Sequence, residues 1–67
     1  MGNRIGLLAF RKANGLTQKQ MAEKLSISST HYSRIETGVI NPSFELMEKF
    51  KKVFDVEDAF KLFEKCQ

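Results

Sequence analysis

The chain has 67 residues, 42% of them hydrophobic and 28% charged, which describes one domain near the lower size at which a chain folds unaided and too short for most enzyme architectures. With one cysteine (Cys66) and one histidine (His31), an intrachain disulfide and a structural zinc site are excluded, and no apolar run approaches the ~18 residues of a membrane span. The net charge of +3 points to an anionic partner, and the lone thiol to a reducing cytoplasm, with no cofactor or small-molecule ligand expected.

Apolar periodicity and sparse Gly and Pro cut the chain into five expected helices, all within one domain spanning residues 1–67. The first covers residues 3–14, with Leu7 and Phe10 on one side and Gly15 as a left-handed C-terminal cap. Gly6 weakens it by helix propensity. Thr17 begins the second, because Gln20 three residues on can complete a capping box; Met21, Ala22 and Leu25 supply its buried side. Ser26 makes the turn, Ile27 anchors it, and Ser28 caps a third helix reaching Thr37 and stopped by Gly38. After Asn41-Pro42-Ser43 the fourth helix runs to Phe54, with Leu46, Met47, Phe50, Val53 and Phe54 as its apolar stripe. A fifth, from the acidic stretch at Asp55 to about Lys65, carries Phe60, Leu62 and Phe63.

Two short helices joined by a tight turn, at about residues 17–37, form the unit that places its second helix in the DNA major groove. At 100° per residue, Tyr32, Ile35 and Glu36 of that second helix gather inward, and Thr30, Ser33, Arg34 and Thr37 outward. Short hydroxyls approach base edges and phosphates closely, and Arg can bind guanine or phosphate through two bonds. Charge is distributed to match. Residues 1–40 hold Arg4, Arg11, Lys12, Lys19, Lys24 and Arg34 against Glu23 and Glu36, whereas residues 41–67 are slightly acidic.

The run Leu16-Thr17-Gln18-Lys19-Gln20-Met21-Ala22-Glu23-Lys24-Leu25, followed by Ser33-Arg34-Ile35-Glu36-Thr37-Gly38 and Asn41-Pro42-Ser43, resembles the lambda-repressor-like helix-turn-helix family of Cro/repressor and xenobiotic-response-element type. The likeness extends from about Leu7 to Phe54 and implies a bacterial or phage transcriptional regulator, a repressor binding a pseudo-palindromic operator in double-stranded DNA as a homodimer. By the same resemblance, Gln18 is a phosphate or outer-base contact, Ser28, Ser29 and Thr30 open the recognition helix, and Ser33 and Arg34 face the groove. Thr17, Lys19, Thr37 and Asn41 complete the expected DNA surface, and Arg11 and Glu36 match a structural ion pair. Three departures from the family pattern stand out: Ser26 stands for a turn Gly, Val39 and Ile40 replace basic loop residues, and Ser29 replaces a longer polar side chain.

Phe60, Leu62 and Phe63 cannot all reach one small core from a single helix, since 62 and 63 point about 100° apart. They are the expected dimer interface, in the region where the resembled family pairs. No Ser, His and acid arrangement and no phosphate-binding Gly-rich loop is present, so catalysis is not expected. The alternative reading is an antitoxin or anti-regulator of the same fold, with Val39 and Ile40 as protein contacts.

Overall fold

The computed structural model describes residues 3–64 and contains four helices. They are α1 (Ile5–Ala13), α2 (Gln18–Lys24), α3 (Ser29–Glu36) and α4 (Phe44–Phe54). Each of the last three starts on a hydroxyl that satisfies an otherwise orphaned backbone donor: Thr17 accepts from Gln20 N, Ser28 from His31 N and Ser43 from Leu46 N. At Thr17 the box is closed, with Gln20 Oε1 accepting from Thr17 N at 2.9 Å. α1 lacks a side-chain cap; its first turn is anchored instead by Arg4 N donating to the Glu36 carbonyl at 2.9 Å.

The turn between α2 and α3 is short because Ser26 adopts the left-handed conformation, φ 59°, that a glycine would enter more easily. Ile27 N then returns to the Ala22 carbonyl at 3.0 Å, and α2 packs mainly against α3. α4 ends in a second non-glycine residue in the left-handed conformation, Asp55 at φ 53°, which turns the chain back over α1.

Among the described residues no fifth helix follows, which corrects the expectation for residues 55–64. The Asp58 carboxylate accepts from Phe60 N, and a single turn follows, with Phe63 N bonded to the Ala59 and Phe60 carbonyls and Glu64 N to that of Lys61. So short a stretch cannot offset the cost of helix nucleation and is held by tertiary contact. Ala59 and Phe63 are buried, and the Phe63 ring meets Phe50 edge-on at 5.2 Å. Phe63 is thus a core residue rather than a free dimer contact. Lys65 and Cys66 lie outside the described residues.

The core unites Leu7, Met21, Ala22, Leu25, Tyr32, Ile35, Leu46 and Phe50 with that last turn. Phe10 and Phe54 close it, their rings 5.2 and 4.8 Å from Phe50. Val53, expected on the buried stripe of α4, is 42% exposed.

Gly6 sits where the last turn crosses α1: a Cβ there would stand 3.5 Å from the Leu62 Cα and carbonyl oxygen. That is ordinary van der Waals contact, so Gly6→Ala should gain helix propensity without a clash. An increase in the thermal midpoint of several degrees is expected, from about 0.5–1 kcal/mol of added stability. Gly6→Leu should lower the midpoint by displacing the 61–63 backbone; the pair of melting curves checks both.

Candidate nucleic-acid interface

α3 divides its side chains as its period demands. Tyr32, Ile35 and Glu36 are buried, while Ser29, Thr30, Arg34 and Thr37 are exposed and Ser33 is half-buried. The inward side is locked by a polar network around Glu36, only 5% exposed. Its carboxylate accepts from Arg11 Nε at 2.9 Å and Nη2 at 3.2 Å, from the Tyr32 hydroxyl at 2.6 Å and from Gln18 Nε2 at 3.1 Å. Arg11 Nη1 also donates to the Leu16 carbonyl at 2.8 Å, so one cluster ties α1, the start of α2 and the end of α3 together.

Burial by itself would raise the Glu36 carboxyl, but the Arg11, Tyr32 and Gln18 donors outweigh it and hold the group below its ordinary range. The same hydrogen bonds raise the Arg11 guanidinium against the desolvation that lowers it. Burial, reinforced by the neighbouring Glu36 carboxylate, pushes the Tyr32 hydroxyl upward. Tyr32 therefore stays a neutral donor and Glu36 an anionic acceptor at neutral pH.

Several residues expected to face DNA also have internal duties. Thr17 and Ser28 use an oxygen lone pair in capping and keep their hydroxyl protons. Thr37 Oγ1 donates to the Ser33 carbonyl at 2.9 Å, which leaves it an acceptor only. Half-buried Gln18 commits its amide nitrogen to Glu36 and retains its carbonyl oxygen. Asn41 Oδ1 accepts from Arg4 Nη2 at 3.0 Å, leaving its amide protons. Ser29, Thr30, Lys19 and Arg34 are exposed with no side-chain hydrogen bond among the described residues. Behind Arg34 the loop is pinned, since its carbonyl accepts from Val39 N at 2.8 Å and Ile40 N at 3.2 Å.

Arg4 has a role the sequence did not reveal. It looked like part of the basic surface, yet it is 3% exposed, its guanidinium surrounded by carbonyl oxygens. It lies within the expected first helix, three residues before buried Leu7 and on the same side, but its charge led it to be counted with the basic surface. With Arg4 and Arg11 turned inside, the exposed basic groups of the N-terminal part are Lys12, Lys19, Lys24 and Arg34, against Glu23.

Two short, capped helices about a left-handed turn, the second with a wholly polar outer face, define a helix-turn-helix protein. A family profile described as helix-turn-helix matches residues 7–60, and the chain belongs to the lambda-repressor-like helix-turn-helix family. It is similar to an uncharacterized HTH-type transcriptional regulator of Archaeoglobus fulgidus, 36% identical over 53 residues that cover 76% of each chain. It is also similar to one of Methanocaldococcus jannaschii, 40% identical over 53 residues covering 76% of this chain and 80% of that one. No solved structure matches. The family is one of transcriptional regulators that bind DNA, and no helix among the described residues is long and apolar enough to cross a membrane.

Proposed function

We propose that the protein is a sequence-specific repressor that binds a pseudo-palindromic operator as a homodimer in the cytoplasm. The observation that carries this reading is the outer face of α3: Ser29, Thr30 and Arg34 exposed and unspent, with Ser33 beside them, on a helix whose inner face is locked by the Glu36 network. Ser29, Thr30 and Ser33 are short enough to bring the helix backbone near base edges, and Arg34 supplies the bidentate donor. Lys19, Thr17, Gln18, Ser28, Thr37 and Asn41 serve to position the domain on phosphates. Pairing runs through the last turn, where Phe60 is 55% exposed and Leu62 half-buried, with the 53% exposed Ile5 as a further apolar group near the chain's start. Repression follows from occupancy, since a dimer across adjacent grooves blocks access to the promoter.

Selection of bound sequences from random duplex DNA tests the reading. Enriched half-sites related by a two-fold axis and centred about 34 Å apart, one helical turn, are expected. On the selected site, Arg34→Ala should weaken binding by about 1–3 kcal/mol and relax preference at one base position. Lys19→Ala should weaken selected and random duplexes alike and reduce the salt slope by about one. Equal losses on both DNAs for Arg34→Ala would make it a phosphate contact. Failure to retard any duplex at low salt would favour a protein-interaction module, with Val39, 70% exposed, among its contacts.

A further inference from the structure

Arg4 takes no part in the proposed DNA surface, yet it joins three pieces of chain. Nε donates to the Phe63 carbonyl at 2.8 Å, Nη1 to the Ile35 carbonyl at 2.6 Å and the Ile40 carbonyl at 3.2 Å, and Nη2 to Asn41 Oδ1 at 3.0 Å. Its backbone N–H adds a bond to the Glu36 carbonyl at 2.9 Å. Among the described residues its side chain has no carboxylate partner within ion-pair distance. The charge is matched by oriented dipoles instead, including the C-terminal carbonyls of α3 where the helix dipole is negative. Burial lowers the guanidinium pKa, but an arginine stays charged, so its donors must always be satisfied.

We propose that Arg4 is a positioning residue that couples the 59–64 turn to the C-terminal end of α3 and the loop after it. The inference rests on the DNA-binding reading of α3 and goes beyond it by linking that surface to the segment assigned to pairing. A shift of the Phe63 carbonyl draws the guanidinium with it, and the planar fork passes the displacement to Ile35, Ile40 and Asn41. Docking of a second copy on the last turn therefore holds the recognition helix in its reading position, and DNA on α3 tightens the last turn in return. Lysine cannot substitute, because a single ammonium does not reach acceptors spread around a planar fork.

Arg4→Lys tests this at a temperature where circular dichroism shows the variant folded. Expected is a loss of roughly tenfold in affinity for the selected operator, the scale of one charge-assisted hydrogen bond, with random-duplex binding changed by less than about twofold. Amide exchange should accelerate at both Val39–Ile40 and Phe63–Glu64, while the capped turn at Thr17–Gln20 keeps its protection. An unchanged ratio of specific to random binding, or acceleration confined to one end or spread evenly over the domain, overturns the proposal. Should Arg4→Lys not fold, the wild-type protein carries the test: on a duplex with a single half-site, Phe63 and Glu64 amides should gain protection, and no gain there overturns it. If the wild-type protein binds no duplex at all, the DNA-binding reading has failed. If it binds and Arg4→Lys reads like wild type, only the coupling has failed.

Discussion

Glu36→Ala is expected to destabilise the domain by about 3–5 kcal/mol, the cost of removing one member of a buried ion pair and leaving its partners unmatched. Arg11, with its side chain 12% exposed, would lose two bonds, and the Tyr32 hydroxyl and Gln18 amide one each. Stabilities of small domains start at roughly 5 kcal/mol, so most of the fold's margin is at stake. Urea unfolding at neutral pH measures the loss. Arg11→Met combined with Glu36→Leu should recover only the part of the loss that comes from the unmatched Arg11 charge, because the Tyr32 hydroxyl and Gln18 amide still lack their acceptor; a double variant as weak as Glu36→Ala would contradict this.

Acid titration gives the same group a sign. The folded carboxyl of Glu36 sits below its unfolded value, so its contribution is complete above the unfolded pKa of about 4.3 and is lost as pH falls through the folded value. The wild-type protein should therefore lose stability steeply below about pH 4, and Glu36→Gln should flatten that part of the curve.

Phe63→Ala should cost a similar amount, about 3–5 kcal/mol, as expected for an aromatic removed from a filled core. Phe63 is 7% exposed within a single chain and touches Phe50, the central ring of the aromatic cluster. The loss should be independent of protein concentration. Phe60→Ala, at a site 55% exposed, should barely change single-chain stability and instead weaken self-association. A concentration-dependent unfolding midpoint for Phe63→Ala that matches Phe60→Ala would return Phe63 to the dimer contact.

The contrast between these two phenylalanines shows how far local pattern reaches. Helical projection held that Phe60, Leu62 and Phe63 could not all reach one core, but it assumed a helix over residues 55–65. Once Asp55 turns left-handed and only one hydrogen-bonded turn forms, the directions of residues 60, 62 and 63 no longer follow that projection. The candidate interface was more legible. Tyr32, Ile35 and Glu36 inside and Thr30, Arg34 and Thr37 outside follow from one period of 3.6 within a single helix. Periodicity gave no warning that Gln18 and Asn41 would bond Glu36 and Arg4, since those partners lie on other elements.

What the amino-acid order determined alone is the set of short-range features: the caps at Thr17, Ser28 and Ser43, the turn at Ser26 and the two-sided character of α3. Each is a bond or torsion between residues a few positions apart, so its energy is present in the local sequence whatever surrounds it. Tertiary structure decided the fate of Arg4, the place of Phe63 and, among the described residues, the lack of a fifth helix. Arg4 Nε and the Phe63 carbonyl are 59 positions apart, and their bond exists only after α1, α3 and the last turn have been packed around the same core.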